Sequence, residues 1–530
     1  MKKMRKIFAL LIAMVMVFGM STTTFAADPT GSIEIDSPKT DPNADNTYYD
    51  AYRILDMTTN GETDADGKYT VVAYTINADW VNFFKTGGPG AAYIVDSDTD
   101  PASLNQITVD GETKYINITD SNVAAFAKAA FAYAQANNVA ATTTVTAAKG
   151  ATSVKFEGLA LGYYMIYPRG ASVQSGDYTS IVSISNTEPN GKVAQKAEWP
   201  ELKKEADDIS VEVGQKVTYT LSSKVPDTTG YNKKYEMTFA DTTTAGLTFD
   251  GVDSIVVKIG SATLTKDTDY TVSTDTADFS LTIDMLTGEE GSKTAKYTYD
   301  DPITITYTAT VNDQAVTKID ENHATLTYNN NPKDDTSKET TPPVEVPTYS
   351  SKLIINKVDG ADEETPLEGA KFVLRVKTVG TATGDSHETD MAAGKYYFYD
   401  ATAKDVKWVT PASTKAEDLA KDTTITVVTT DAQGKANFDG LEDGVYELIE
   451  VEAPKGYNLL TEPVEVTING ADATEVDLSP LTVTADVTNN SGSQLPSTGG
   501  IGTTMFYVIG AALVLGAGIV MVCKRRVNAD

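Results

Sequence analysis

Short runs that alternate apolar and polar residues recur along this chain, and they constrain its fold more than any other feature. Successive side chains of a β-strand point to opposite faces, so each run has one face to bury against a second sheet. From about residue 198 onward, turn residues separate the runs at the spacing typical of β-sandwich strands. The pattern predicts two sandwiches, a second unit (residues 198–346) and a third unit (347–494), joined by a proline-rich stretch, 334–347, that we interpret as a linker.

A first unit, residues 27–197, is predicted to differ, because two helical segments interrupt its strand-like runs. Residues 79–85 carry three aromatic side chains, and the alanine-rich residues 120–136 place apolar side chains on one helical face. We therefore expect a mainly β protein whose N-terminal domain contains short helices.

Both ends of the chain carry an apolar run beside basic residues. Residues 1–26 combine a basic start, an apolar stretch and small residues at a cleavage point, which predicts a signal peptide. Residues 500–530 contain an apolar run long enough for a transmembrane helix, and the basic residues that follow it favour the cytoplasmic side. We expect the chain to be secreted and then held transiently in the membrane by its C-terminus.

Composition excludes several kinds of partner and site. The formal net charge of −31 makes nucleic acid an unexpected partner. Cys523, the only cysteine, lies in the apolar C-terminal run, so no disulfide stiffens the exported part. The two histidines, His323 and His387, lie far apart in sequence, and we expect no metal site and no cofactor.

A five-residue motif precedes the apolar C-terminal run: Leu495, Pro496, Ser497, Thr498 and Gly499. The order of motif, apolar span and basic tail resembles the LPXTG sorting signal of Gram-positive surface proteins. The resemblance implies that a sortase cysteine attacks the carbonyl group of Thr498 and cuts its bond to Gly499. It also implies that the chain becomes attached to peptidoglycan in the cell wall.

Three polar side chains of the third unit are predicted to point into its core. Lys357 is in step with the apolar residues of the first strand, Glu450 with those of a later strand, and Asn489 with those of the last. Burial lowers the pKa of a lysine and raises that of a carboxylic acid. A neutral amine can then attack an asparagine carbonyl, helped by a protonated acid, and release ammonia. Asn490 stays an alternative to Asn489, because alternation alone sets this register.

Residues 446–457 (YELIEVEAPKGY) resemble the E-box of Gram-positive pilins, and most of residues 350–490 is similar to the collagen-adhesin B-type domain, an immunoglobulin-like sandwich. The resemblance implies that Lys357 and Asn489 form an isopeptide bond and that Glu450 assists the reaction. Such a bond would tie the first strand of the third unit to its last strand.

Three short segments of the second unit carry another resemblance: residues 200–204 (PELKK), 239–242 (FADT) and 322–324 (NHA). They are similar to the isopeptide-forming middle domain of fimbrial subunits. The resemblance implies a bond between Lys204 and Asn322, with Asp241 as the assisting acid. Alternation independently points Lys204 inward and Lys203 outward.

A lysine between the first and second units is a further candidate. In pilus subunits, a lysine near the end of the N-terminal domain attacks the sortase-bound threonine of another copy, usually within a tyrosine-proline-lysine-asparagine sequence. This chain instead has Lys196 within residues 193–200 (VAQKAEWP). The resemblance makes Lys196 the candidate nucleophile, with Lys192 and Lys203 as nearby alternatives.

The features together are similar to those of a sortase-assembled Gram-positive major pilin, the shaft subunit of a covalent fimbrium. The resemblance implies a sortase substrate, not an enzyme. The implied partners are other copies of the chain, pilus-specific and housekeeping sortases, peptidoglycan, minor pilins and host surface ligands. A singly anchored adhesin that binds a host protein or glycan is the main alternative. A wall-anchored hydrolase is disfavoured, since residues 27–197 contain no histidine.

Overall fold

The computed structural model describes most of the chain between the predicted signal peptide and the sorting motif. The described residues are 30–59, 62–65, 72–97, 106–119, 121–171, 181–184, 189–194, 197–380 and 391–492. The predicted signal peptide, Lys196, the LPSTG motif with Thr498, and the predicted membrane span lie outside them. No helix within the described ranges has the length and apolar character needed to cross a bilayer.

The first unit packs helices against short sheets, as its sequence pattern predicts. Its strands are β1 (Thr30–Asp36), β2 (Asn46–Thr59), β3 (Val72–Ile76), β4 (Ile94–Val95), β5 (Gln106–Val109), β6 (Glu112–Ile116), β7 (Thr143–Ala148), β8 (Ser153–Ala160), β9 (Gly162–Pro168), β10 (Ile181–Ile184) and β11 (Asn190–Ala194). Its helices are α1 (Val81–Phe84) and α2 (Val123–Ala136). Aromatic side chains join the two helices, with the ring centres of Phe83 and Phe126 5.8 Å apart.

The second unit is a sandwich of two antiparallel sheets. Its strands are β12 (Lys203–Ala206), β13 (Lys216–Lys224), β14 (Glu236–Thr243), β15 (Leu247–Phe249), β16 (Val256–Ile259), β17 (Ala262–Thr263), β18 (Tyr270–Ser273), β19 (Phe279–Asp284), β20 (Leu286–Thr287), β21 (Thr294–Ala295), β22 (Pro302–Val311), β23 (Lys318–Asn329) and β24 (Lys338–Thr340). One sheet has the order β12-β13-β22-β16-β17, and the other contains β18-β19-β14-β23. Buried residues alternate along β22 and β23, as the sequence predicts.

The third unit is a second sandwich. Its strands are β25 (Val344–Asp359), β26 (Lys371–Val379), β27 (Tyr396–Asp400), β28 (Asp405–Val409), β29 (Val428–Thr429), β30 (Lys435–Leu441), β31 (Gly444–Glu452), β32 (Val464–Ile468) and β33 (Thr482–Asn489), with a short helix, α3 (Ala416–Leu419). One sheet has the order β28-β27-β26-β31-β32. In the facing sheet, β25 lies between antiparallel β30 and parallel β33.

One long strand, β25, belongs to both sandwiches. Its first half pairs with β23 of the second unit, from Val344 opposite Ala324 to Ser350 opposite Lys318. Its second half pairs with β30 and β33 of the third unit. The strand β24 also pairs with β23, so the interpretation of residues 334–347 as a linker is wrong for the parts that lie in these strands.

A segment between β12 and β13, residues 208–215, couples the second unit to the third. Val213 packs into the hydrophobic core of the third unit. Its main-chain N–H donates to the Gly440 carbonyl at 3.2 Å, and its carbonyl accepts from the Val406 N–H at 2.7 Å. The indole N–H of Trp408 donates to the carboxylate of Glu212 at 2.5 Å. We infer that the two sandwiches resist bending about their junction.

Replacing Gly214 by alanine tests this coupling. Gly214 has a φ of +96°, and a Cβ there would lie 2.2 Å from the Cβ of Asp405 in the third unit. We expect Gly214→Ala to lower the free energy of unfolding by about 2–4 kcal/mol, from backbone strain and overpacking together. Gly251→Ala is the matched control, because its φ is +91° but a Cβ would meet nothing within 4 Å. Equal losses for both variants in denaturant titrations would contradict the coupling.

Candidate functional site: two buried lysine clusters

The second unit brings three of the residues singled out from the sequence into its core. Lys204 lies on β12 of one sheet, and Asp241 and Asn322 lie on β14 and β23 of the other. The register pairs Asp241 with Ala324, so Asn322 is its diagonal neighbour on the same face. The side chains of Lys204 and Asp241 are completely buried, and Asn322 is buried as well.

Hydrogen bonds connect this lysine, acid and amide through a fourth residue, Tyr307 on β22. Lys204 Nζ donates to Asp241 Oδ2 at 2.6 Å, and the Tyr307 hydroxyl donates to the same oxygen at 2.5 Å. Asn322 Nδ2 donates to the Tyr307 hydroxyl at 3.1 Å. We call these four residues the middle cluster. Alternation on β22 predicts that Tyr307 is buried, but nothing in the sequence separates it from the other core aromatics.

Burial shifts the protonation equilibria of the middle cluster. The Lys204 amine lies 5.3 Å from the ring centre of Tyr219 and 5.6 Å from that of Tyr307. Burial lowers the pKa of Lys204 to about 8, although the charge of Asp241 opposes this. Burial also raises the pKa of Asp241, against the opposing effect of Lys204. Burial therefore favours the uncharged form of each group, and the attraction between the amine and the carboxylate opposes it.

A corresponding set of residues meets in the third unit. Lys357 lies on β25, Asn489 ends the parallel neighbour β33, and Glu450 lies on β31 of the facing sheet. All three are buried. Asn489 Nδ2 donates to Glu450 Oε1 at 2.9 Å and to Oε2 at 3.0 Å. We call Lys357, Glu450 and Asn489 the C-terminal cluster.

In the C-terminal cluster, the lysine amine donates a hydrogen bond to a main-chain carbonyl. Lys357 Nζ donates to the carbonyl of Val487 at 3.0 Å, two residues before Asn489 on β33. Burial lowers the pKa of Lys357 to about 8, against the opposing charge of Glu450. Burial raises the pKa of Glu450, although its hydrogen bond with Asn489 opposes this. This lysine is therefore also biased toward its neutral form.

The side-chain oxygens of the two asparagines share one feature. Oδ1 of Asn322 and Oδ1 of Asn489 are buried without a hydrogen-bond partner among the described residues. An unsatisfied buried acceptor costs about 1–3 kcal/mol, so both amides are held in an unfavourable state. Asn490, the alternative from the sequence, is exposed. Of the two candidates, Asn489 is the one inside the sandwich.

The first unit has no such cluster in its described part. Its buried polar residues there are Ser32, Asp41, Thr47, Asp50 and Gln135. None of them is a lysine, so the described residues of this unit offer no buried amine.

The junction lysines differ from the buried ones. Lys192 on β11 has a side chain that is 67% exposed, with Nζ 3.5 Å from a carboxylate oxygen of Glu34. Lys203 on β12 is exposed, as alternation predicts. Lys196 lies outside the described residues, so its role as the nucleophile stays a prediction.

One histidine lies between carboxylates on the face of β23 opposite Asn322. Glu321, His323 and Glu345 bring potential ligand atoms within 4.8 Å of one another. The two ring nitrogens of His323 lie 3.1 Å from Glu321 Oε2 and 3.3 Å from Glu345 Oε2. Each ring nitrogen of His323 therefore lies close to a different carboxylate.

Three family models match consecutive parts of the chain. Residues 213–332 match the Gram-positive pilin backbone subunit 2, Cna-B-like domain, and residues 351–480 match a prealbumin-like fold domain. Residues 487–529 match the LPXTG cell wall anchor motif. The mainly β architecture expected from the sequence is confirmed by these matches.

Two relatives of known name are similar over part of the chain. The fimbrial subunit type 1 of Actinomyces viscosus is 26% identical over 340 residues, which are 59% of this chain and 61% of the relative. The trypsin-resistant surface T6 protein of Streptococcus pyogenes serotype M6 is 27% identical over 364 residues, which are 59% of this chain and 65% of the relative. The chain thus spans less than two thirds of either relative.

Among solved structures, the group B streptococcus pilus 2b backbone protein is 26% identical, with a TM-score of 0.41, and the match covers 56% of this chain and 99% of that one. The LPXTG anchor places the protein at the cell wall of a Gram-positive bacterium. With matches to a pilin backbone domain, a prealbumin-like domain and this anchor in one chain, the protein is similar to the pilin backbone subunits of Gram-positive bacteria.

Proposed function

We propose that this protein is the major structural subunit of a covalent cell-surface pilus. A pilus-specific sortase joins Thr498 of one copy to Lys196 of the next, and a housekeeping sortase attaches the finished fibre to peptidoglycan. The observation that carries the proposal is the pair of buried lysine clusters in sandwiches that precede an LPXTG anchor. A head-to-tail linkage does not close on itself, so it yields a fibre. Minor pilins and host surface ligands are further proposed partners.

Each cluster is suited to form an isopeptide bond without an external enzyme. With a pKa of about 8, a fraction of each buried lysine is neutral at physiological pH and therefore nucleophilic. The nitrogen attacks the asparagine Cγ, a proton passes to the departing nitrogen, and ammonia leaves. Asp241 and Glu450 move the protons as general acid and base. One C–N bond forms as another breaks, so no oxidant is required.

In the C-terminal cluster, the protonation of Glu450 sets the orientation of the amide. The present contact, in which Asn489 Nδ2 donates to both carboxylate oxygens, suits an ionised Glu450. Because burial raises the pKa of Glu450, protonation is accessible, and a rotated amide then presents Oδ1 to the acid. That hydrogen bond satisfies the orphaned oxygen and polarises the carbonyl for attack.

The proposed bonds join strands that carry load. Lys204 lies on the first strand of the second unit, and Lys357 and Asn489 lie on the first and last strands of the third. Each bond closes a loop of more than a hundred residues, which by analogy with a disulfide contributes roughly 4–5 kcal/mol against the unfolded chain. Tension applied to the chain ends then passes through covalent bonds and bypasses the sandwich core.

Intact mass tests the crosslinks. We expect the exported chain, residues 27–494, to be lighter than its sequence mass by two ammonia molecules, about 17 Da each. Lys204→Ala and Lys357→Ala should each restore one ammonia, and Asn489→Ala should act like Lys357→Ala. Asn490→Ala is the matched control and should keep both losses. A full sequence mass for the unsubstituted chain would end the proposal that these lysines react.

In a variant that cannot form the crosslink, the pH dependence of stability measures the pKa of the buried lysine. In Asn322→Ala, Lys204 stays a free amine whose folded pKa of about 8 lies below its ordinary 10.5. Between these values the unfolded chain binds more protons, so the free energy of unfolding rises with pH. We expect a gain of about 1–2 kcal/mol from pH 8 to about pH 9.5 in denaturant titrations.

The control variant for this pH effect lacks the lysine and the acid of the middle cluster in addition to Asn322. The variant Lys204→Met/Asp241→Asn/Asn322→Ala keeps the rest of the chain, including the C-terminal cluster. Its free energy of unfolding should change less over the same interval. The same rise in both variants would show that another group is responsible.

Polymerisation is tested in cells that contain the cognate sortase. We expect a high-mass ladder in boiling detergent that Lys196→Ala or Thr498→Ala abolishes. Lys192→Ala and Lys203→Ala are matched controls from the same junction and should leave the ladder intact. A single band for the unsubstituted protein would instead favour the singly anchored adhesin.

A further inference from the structure

The two clusters differ in how the acid reaches the amide. In the C-terminal cluster, Glu450 accepts directly from Asn489 Nδ2. In the middle cluster the acid is an aspartate, one methylene shorter. Asp241 Oδ2 contacts Lys204 and Tyr307, and its Oδ1 is buried without a hydrogen-bond partner. The Tyr307 hydroxyl therefore occupies the gap between the short acid and the amide.

We propose that Tyr307 is a catalytic residue of the middle cluster, a proton relay between Asp241 and the departing nitrogen of Asn322. The proposal rests on the isopeptide bond proposed above for Lys204 and Asn322. Its geometric basis is one hydroxyl within hydrogen-bond distance of both partners, 2.5 Å from Asp241 Oδ2 and 3.1 Å from Asn322 Nδ2.

The relay balances every proton. The relay starts from the neutral amine of Lys204 and the carboxylate of Asp241, the form that accepts from the Tyr307 hydroxyl. Lys204 Nζ attacks Cγ of Asn322, and the carbonyl electron pair moves to Oδ1. Nζ then gives a proton to Asp241 Oδ2, with which it already shares a hydrogen bond of 2.6 Å. Asp241 passes a proton to the Tyr307 oxygen as Tyr307 passes its own to Nδ2, which has gained a lone pair. The carbonyl re-forms, the Cγ–Nδ2 bond breaks, and ammonia leaves with Asp241 and Tyr307 in their starting states.

The surroundings of the Tyr307 hydroxyl suit a group that passes protons on better than one that acts as a deprotonated base. Tyr307 is buried. Its ring stacks on that of Tyr219, with the ring centres 5.6 Å apart. The ring of Phe279 packs edge-on against it, with the ring centres 4.9 Å apart. Burial, reinforced by the charge of Asp241, raises the pKa of Tyr307, so the hydroxyl stays protonated. It acts by exchanging one proton for another, and the packed ring keeps it between its partners.

The rate of crosslinking tests the relay. The exported chain, residues 27–494, is made by cell-free synthesis, quenched in acid at intervals and digested. Mass spectrometry then quantifies the branched peptide that joins Lys204 to Asn322 and the one that joins Lys357 to Asn489. The second peptide is an internal control for folding in the same chain. Tyr235→Phe, which removes the hydroxyl of another buried tyrosine of this sandwich, is the matched control.

In Tyr307→Phe we expect the Lys204–Asn322 peptide to form about 100-fold more slowly, the loss of one general acid–base group, while the Lys357–Asn489 peptide forms normally. Tyr235→Phe should form both at the unsubstituted rate. The double variant Asp241→Glu/Tyr307→Phe should recover much of the rate, because the longer acid reaches the amide as Glu450 does.

Two results would overturn the relay. An unchanged rate in Tyr307→Phe would show that the hydroxyl moves no proton. A slow reaction that Asp241→Glu fails to recover would make Tyr307 a packing residue. If the unsubstituted chain never yields the Lys204–Asn322 peptide, the proposed crosslink of the second unit fails as well, which separates that outcome from a failure of the relay alone.

Discussion

A lysine amine buried away from water is the constraint on which the rest of this structure depends. Taking an ammonium group out of water costs several kcal/mol unless it is paired or gives up its proton. Lys204 meets this cost with a carboxylate, and Lys357 meets it with main-chain oxygen. In both places burial favours the neutral amine, and a neutral amine is a nucleophile. In the proposed crosslinking reactions, the burial that makes these lysines expensive is thus the same property that activates them.

In the proposed fibre, the fold around the clusters determines how force passes along the chain. In the proposed fibre, force enters each sandwich through its first strand. The strand β25 leaves the second unit and enters the third without a turn, so the two sandwiches share one rigid element. The segment 208–215 adds a second connection through the core position of Val213. The stretch between Asn322 and Lys357 lies outside both proposed crosslinked loops, so tension there passes through the main chain and its hydrogen bonds alone.

Alternation in the sequence predicts much of this, because it reports which face of a strand is buried. It correctly separates Lys204 from Lys203 and places Lys357, Glu450 and Asn489 inside. It does not distinguish Tyr307 from other core aromatics, since the role of that hydroxyl depends on neighbours far away in sequence. The proline-rich stretch suggested a linker, yet β25 pairs on one side only near Pro347, and proline is tolerated at such an edge.

Pulling single molecules of the exported chain by their ends tests the central claim most directly. If covalent bonds close both sandwiches, neither releases the length between its bonded residues, and extension comes from the first unit and the stretch between the clusters. A release of more than about 300 Å from either sandwich, the extended length of about a hundred residues, would contradict the account.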